Sequence, residues 1–98
     1  MTNDKYYIAV KIRKPSGKEY IGYYAIDSAN TGGYAYFPDS IDNKDVQSFR
    51  TLEAAKKFLS NEYRIIDGKL QFYTCYYFNI IGSPMIVKRT VEVVWEMT

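Results

Sequence analysis

The sequence predicts an α+β fold, an antiparallel, strongly twisted sheet of about five strands with one helix packed on one face. Three observations point there. Residues 5–13, KYYIAVKIR, alternate with period two before a KPSGK turn. Residues 51–63, TLEAAKKFLSNEY, repeat apolar side chains at helical spacing. Two later runs, 69–81 and 85–96, are rich in aromatic and β-branched residues and flank a Gly82-Ser83 pair. The predicted order is ββ(β)αββ, in a single domain over residues 1–98.

In the first strand Tyr6, Ile8, Val10 and Ile12 share one face, and Tyr7, Ala9, Lys11 and Arg13 the other. If Pro15-Ser16-Gly17 is a hairpin loop with glycine in the left-handed position, Arg13 falls opposite Glu19 and Ile12 opposite Tyr20. The same register sets Ile8 against Tyr24 and Tyr6 against Ile26. A turn-rich DSANTGG segment leads to a short aromatic run, 34–37, which Pro38 stops. PDSIDNKDVQSF has little periodicity and reads as an exposed connection. Thr51 is the expected N-cap of the helix, with Glu53 in its first turn and Leu52, Ala55, Phe58, Leu59 and Tyr63 on its apolar side. A two-residue Gly82-Ser83 turn would close the last hairpin. It would pair Phe78 with Val87, Tyr76 with Arg89, Thr74 with Val91, Phe72 with Val93 and Leu70 with Trp95.

Composition excludes several function classes. The chain has no histidine, which removes Ser-His-Asp and Cys-His nucleophile pairs and histidine acid–base chemistry. With Cys75 as the single cysteine there is neither an internal disulfide nor the usual Cys/His zinc site. The net charge of +2 is too small to drive DNA binding by field alone. No apolar run approaches the roughly 18–20 residues that cross a bilayer, and MTNDKYY lacks a basic-then-apolar leader pattern. A cytoplasmic protein without cofactor or catalytic constellation is expected.

GGYAYF, residues 32–37, matches part of the third-strand signature of RNA-recognition motifs, in which alternate aromatics stack on bases. On that reading Tyr34 and Tyr36 are the stacking pair. Gly32, however, stands where a basic residue belongs, Asp39 where an aromatic belongs, and a hairpin precedes the motif where a strand–helix–strand is needed. A turn into a short strand is the expected structure, with Tyr34 and Tyr36 on one side of the sheet. The glycines also lack the lysine and hydroxyl residue of a phosphate-binding loop. Asp39, Asp42 and Asp45 lack the alternate ligand spacing, central glycine and closing glutamate of a calcium loop, and read as a solvated acidic loop.

One helix covers one face of such a sheet, leaving the other open. The predicted registers place Tyr7, Tyr23, Tyr73 and Tyr77 there, interspersed with Lys11, Arg13, Lys69 and Lys88. A tyrosine-rich, partly basic sheet suits a protein partner, with self-association into a homodimer or stacking of nucleic-acid bases or a signalling nucleotide as alternatives.

The opening KYYIAVKI, the central GGYAYFPDSI and the following SFRTLEAAKKFL together resemble small accessory proteins of bacteriophages that infect Gram-positive bacteria. The resemblance covers roughly residues 5–60. It implies a stoichiometric inhibitor that binds and blocks a host enzyme or a defence complex such as a CRISPR nuclease. It assigns no residue a role.

Overall fold

The computed structural model describes residues 2–27, 35–66, 69–72 and 79–92. Its elements are β1 (Thr2–Arg13), β2 (Glu19–Tyr23), β3 (Ala25–Ile26), β4 (Ala35–Tyr36), α1 (Leu52–Glu62), β5 (Tyr63–Ile66), β6 (Lys69–Phe72) and β7 (Ile80–Glu92). The class is α+β and the strand pairs are antiparallel. Among the described residues, the strands form a three-stranded sheet ordered β2-β1-β7 and two pairs, β3-β4 and β5-β6, rather than the expected single sheet of about five strands. Among the described residues, no helix is long and apolar enough to cross a membrane.

The first hairpin keeps the expected register: Arg13 lies opposite Glu19, Ile12 opposite Tyr20 and Lys11 opposite Ile21. Gly17 sits at φ 90°, a left-handed conformation that glycine adopts without a Cβ clash, and the Lys14 amide donates to the Lys18 carbonyl at 2.8 Å. The Tyr24 amide still donates to the Ile8 carbonyl. Beyond that point the register breaks, and Tyr6 does not meet Ile26. Ala25 and Ile26 turn away to pair with Tyr36 and Ala35. Tyr6 is left with an amide and a carbonyl to satisfy, and Phe49 takes both, at 2.9 and 2.8 Å. The stretch before Phe49 follows the same route: Asp45 O accepts from Ile26 N, and Gln47 N donates to Tyr24 O. Residues 38–49, expected as an exposed connection, thus form a strap hydrogen-bonded along the sheet.

The largest correction concerns the last strand. Gly82-Ser83 is not a hairpin turn; β7 runs through it and pairs with β1 from Thr2↔Glu92 to Ile12↔Ile80. Val87 faces Tyr7 rather than Phe78, Arg89 faces Lys5 rather than Tyr76, and Val91 faces Asn3 rather than Thr74. Between Lys11↔Ile81 and Ala9↔Met85 the register shifts, so Gly82, Ser83 and Pro84 bulge opposite Val10. Gly82, at φ 75°, supplies the bend, and the bulge accommodates Pro84, which has no N–H for the ladder. The partners expected at 73–78 and 93–98 lie outside the described residues.

The core is built on the β1 face carrying Ile8, Val10 and Ile12, with Tyr24, Ala35, Phe37 and Ile80. Each fully buried aliphatic side chain there contributes about 1.5–3 kcal/mol. α1 covers this face. Thr51 Oγ1 accepts from Ala54 N at 3.0 Å as the N-cap, Ala55 is fully buried, and Phe58 packs edge-on against Tyr24 and tilted against Phe49. Leu52 stays exposed, and the helix ends at Glu62, so Tyr63 opens β5 instead of closing the helix. β5 and β6 pair antiparallel from Tyr63↔Phe72 to Ile66↔Lys69.

Gly22 lies opposite Val10 on the core face. A Cβ there would come within 2.7 Å of Phe37 Cβ and 3.0 Å of Phe37 O, and Phe37 is a buried core residue. Gly22→Ala is therefore expected to destabilise the protein by about 1–3 kcal/mol through overpacking. An exposed Ser16→Ala is expected to change stability by less than about 0.5 kcal/mol. Urea denaturation of the two variants measures the contrast.

Candidate protein-binding face

Because neighbours across an antiparallel ladder share a face, the side of β2-β1-β7 away from the helix can be read in rows. Ala9 lies between Tyr23 and Met85, Lys11 between Ile21 and Ile81, and Arg13 beside Glu19. Met85 and Ile21 are 43% and 37% exposed, the highest values for large apolar side chains among the described residues apart from Leu52. Tyr23, Ile81 and Val87 are half-buried on the same side. The result is an aliphatic patch edged by charge.

The charged edge is organised around Glu19. Its carboxylate accepts from Arg13 Nε at 3.2 Å and Nη2 at 3.0 Å, and Lys11 Nζ stands 3.4 Å from its other oxygen. These hydrogen bonds, Arg13 first and then Lys11, hold the Glu19 carboxyl below the usual carboxylate range. One carboxylate orients two cations that remain about half exposed.

Of the residues expected on this face, Lys11, Arg13 and Tyr23 are on it. Tyr7 is on it but only 7% exposed, so its ring is core rather than contact. Its neighbour Arg89 explains part of this: Asp42 of the strap reaches over to Arg89 Nη1 at 2.6 Å, which holds the guanidinium near Tyr7. Asp42, foremost, raises the Arg89 pKa. Lys88 belongs to the other side of the sheet, because it lies opposite Tyr6, and its ammonium is 3.5 Å from Asp4. Tyr34, Tyr73 and Tyr77 lie outside the described residues, and only the backbone of Lys69 is described. Ile21 and Met85 were not anticipated. The hairpin register already set Ile21 beside Lys11, whereas Met85 reaches the patch only through the β1-β7 pairing.

Tyr36, the second tyrosine of the aromatic motif, is held by the strap. Ala35 and Phe37 point into the core, so alternation sends Tyr36 to the other side of its strand. Its hydroxyl donates to Asp45 Oδ2 at 2.5 Å and lies 3.2 Å from Asn43 Oδ1. Asp45 is 7% exposed, so the carboxylate expected in solvent is instead buried, as the acceptor that fixes this loop. Its amide donates to Asn43 Oδ1 at 2.9 Å, closing a local turn. Near the β1-β2 turn, Lys14 lies 5.3 Å above the Tyr20 ring, beside an open cleft of about 240 Å³ that Phe37, Pro38 and Asp39 complete.

Burial of Tyr36, reinforced by the Asp45 carboxylate, pushes its phenol up from 10.0 to about 12. A group whose pKa is raised by folding contributes stability that is complete below pH 10 and is lost as pH rises through about 12. Tyr36→Phe is expected to cost about 1–2 kcal/mol at neutral pH and to reduce the fall in stability over that alkaline window. Urea titrations at stepped pH measure both. Compared with protein-family models, curated proteins and solved structures, the chain has no match.

Proposed function

We propose that the chain is a non-catalytic binding module that docks a protein partner on the β2-β1-β7 face opposite α1. The observation that carries this reading is the exposure of Ile21 and Met85 at diagonal corners of one patch, on either side of β1, with Tyr23 and Ile81 half-buried at the other two corners. Aliphatic side chains grouped on a sheet and edged by charge favour protein association, where their burial is the driving term. The absence of histidine from the chain supports occupancy rather than catalysis. Taken with the resemblance to phage accessory proteins, the role proposed is that of an inhibitor. It would occupy a host or defence protein, for example a CRISPR nuclease complex, inside the bacterial cytoplasm.

The reading is tested by capture from nuclease-treated bacterial lysate on the immobilised chain, with mass spectrometry of what is retained. The Ile21→Ser, Met85→Ser double variant, checked for folding by circular dichroism, is expected to lose a protein that the unaltered chain holds. Equal retention by the folded double variant places the contact elsewhere on the molecule.

A further inference from the structure

The same face carries a charge asymmetry that narrows its partner. Residues 11–19, KIRKPSGKE, contain Lys11, Arg13, Lys14, Lys18 and Glu19, four cations and one carboxylate. That net +3 at one end of the β1-β2 hairpin exceeds the +2 of the entire chain, so the rest of the molecule is net −1. Lys11 and Arg13 share the single carboxylate, while Lys14 and Lys18 are exposed at the turn outside that pair. Ile21 lies across from Lys11 on the adjoining strand.

Resting on the face proposed above, we infer that its partner is a protein segment combining acidic and aliphatic side chains, the acidic groups meeting the 11–19 end and the aliphatic ones Ile21 and Met85. A phosphate backbone is the poorer complement for two reasons. Among the described residues, the exposed large apolar groups of this face, Ile21 and Met85, are aliphatic and Tyr23 is half-buried, whereas single-strand binders depend on aromatic platforms. Glu19 also sits between the two ordered cations, where it opposes a polyanion but leaves discrete carboxylates free to pair with Arg13 or Lys11 from the side. Electrostatic complementarity of this kind sets specificity and association rate, and it weakens with salt.

The test uses the full chain and three fluorescent probes. These are a soluble peptide of about twelve residues mixing glutamate and leucine, the same peptide with glutamine for glutamate, and an oligothymidylate of about twenty nucleotides. At low salt the glutamate peptide is expected to bind about tenfold more tightly than the glutamine peptide. Lys14→Glu with Lys18→Glu removes that difference, Lys14→Gln with Lys18→Gln reduces it, and Ile21→Ser with Met85→Ser weakens both peptides. If the glutamine peptide binds equally well and still responds to Ile21→Ser with Met85→Ser, the acidic partner is overturned while the face stands. If no variant alters peptide binding, both fall. Tighter binding of oligothymidylate than of the glutamate peptide, or no binding of that peptide at about millimolar concentration, also overturns the inference.

Discussion

β1 is hydrogen-bonded along both edges and, from Tyr7 to Val10, buried on both faces. That double demand organises the rest of the fold. A strand with four consecutive buried residues needs a neighbour on each side for its amides and carbonyls, and a cover above and below for its side chains. β2 and β7 supply the edges. α1, Phe37 and Phe49 fill the face of Ile8 and Val10. The opposite face is closed at Tyr7, where Arg89 is drawn to Asp42, and opens progressively toward Met85 and Ile21. The candidate binding surface is the part of the central sheet that this closure does not reach.

The strap between Pro38 and Phe49 is the device that permits β2 to be short. By pairing with Tyr24, Ile26 and Tyr6 it satisfies backbone groups that a longer hairpin would have satisfied itself. A polar, weakly periodic segment can lie this close to the core because its polar groups bond internally. Asp45 takes the Tyr36 hydroxyl, Gln47 returns its amide nitrogen to the Asp45 carbonyl, and Asn43 accepts the Asp45 amide. Gly22 makes the close approach of Phe37 possible at the other end.

What was legible in the sequence was local. The β1-β2 register follows from one glycine-containing turn and matched apolar pairs, and the helix start follows from Thr51 alone, since both depend on residues a few positions apart. The partner of β1 on its second edge was not legible, because Gly-Ser serves equally as a hairpin turn or a bulge. Two signals favour the bulge in retrospect: Pro84 directly after it, which the ladder must bypass, and the unbroken apolar run Tyr6–Val10, which marks a central strand. How far each tyrosine of that face is exposed was not legible for a related reason. Tyrosine is abundant in this chain, but Tyr7, Tyr20 and Tyr24 spend their rings on the core. Among the described residues of the sheet, the large apolar groups left outside are Ile21 and Met85, whose exposure depends on which strands lie side by side.

The β1-β7 ladder sets Thr2 beside Glu92, and so joins segments far apart in the order of synthesis. On the ribosome, β1 and β2 emerge early and can form their hairpin at once, yet the second edge of β1 must wait until β7 has cleared the exit tunnel. Until then β1, with its four consecutive apolar residues Tyr7–Val10, carries an unpaired row of amides and carbonyls, the arrangement that recruits chaperones or other nascent chains. Closing so distant a pair is also slow, because chain entropy is lost before the ladder repays it. The charged tip at Lys11, Arg13, Lys14 and Lys18 is already present at that stage, and edge charges of this kind disfavour pairing with another chain.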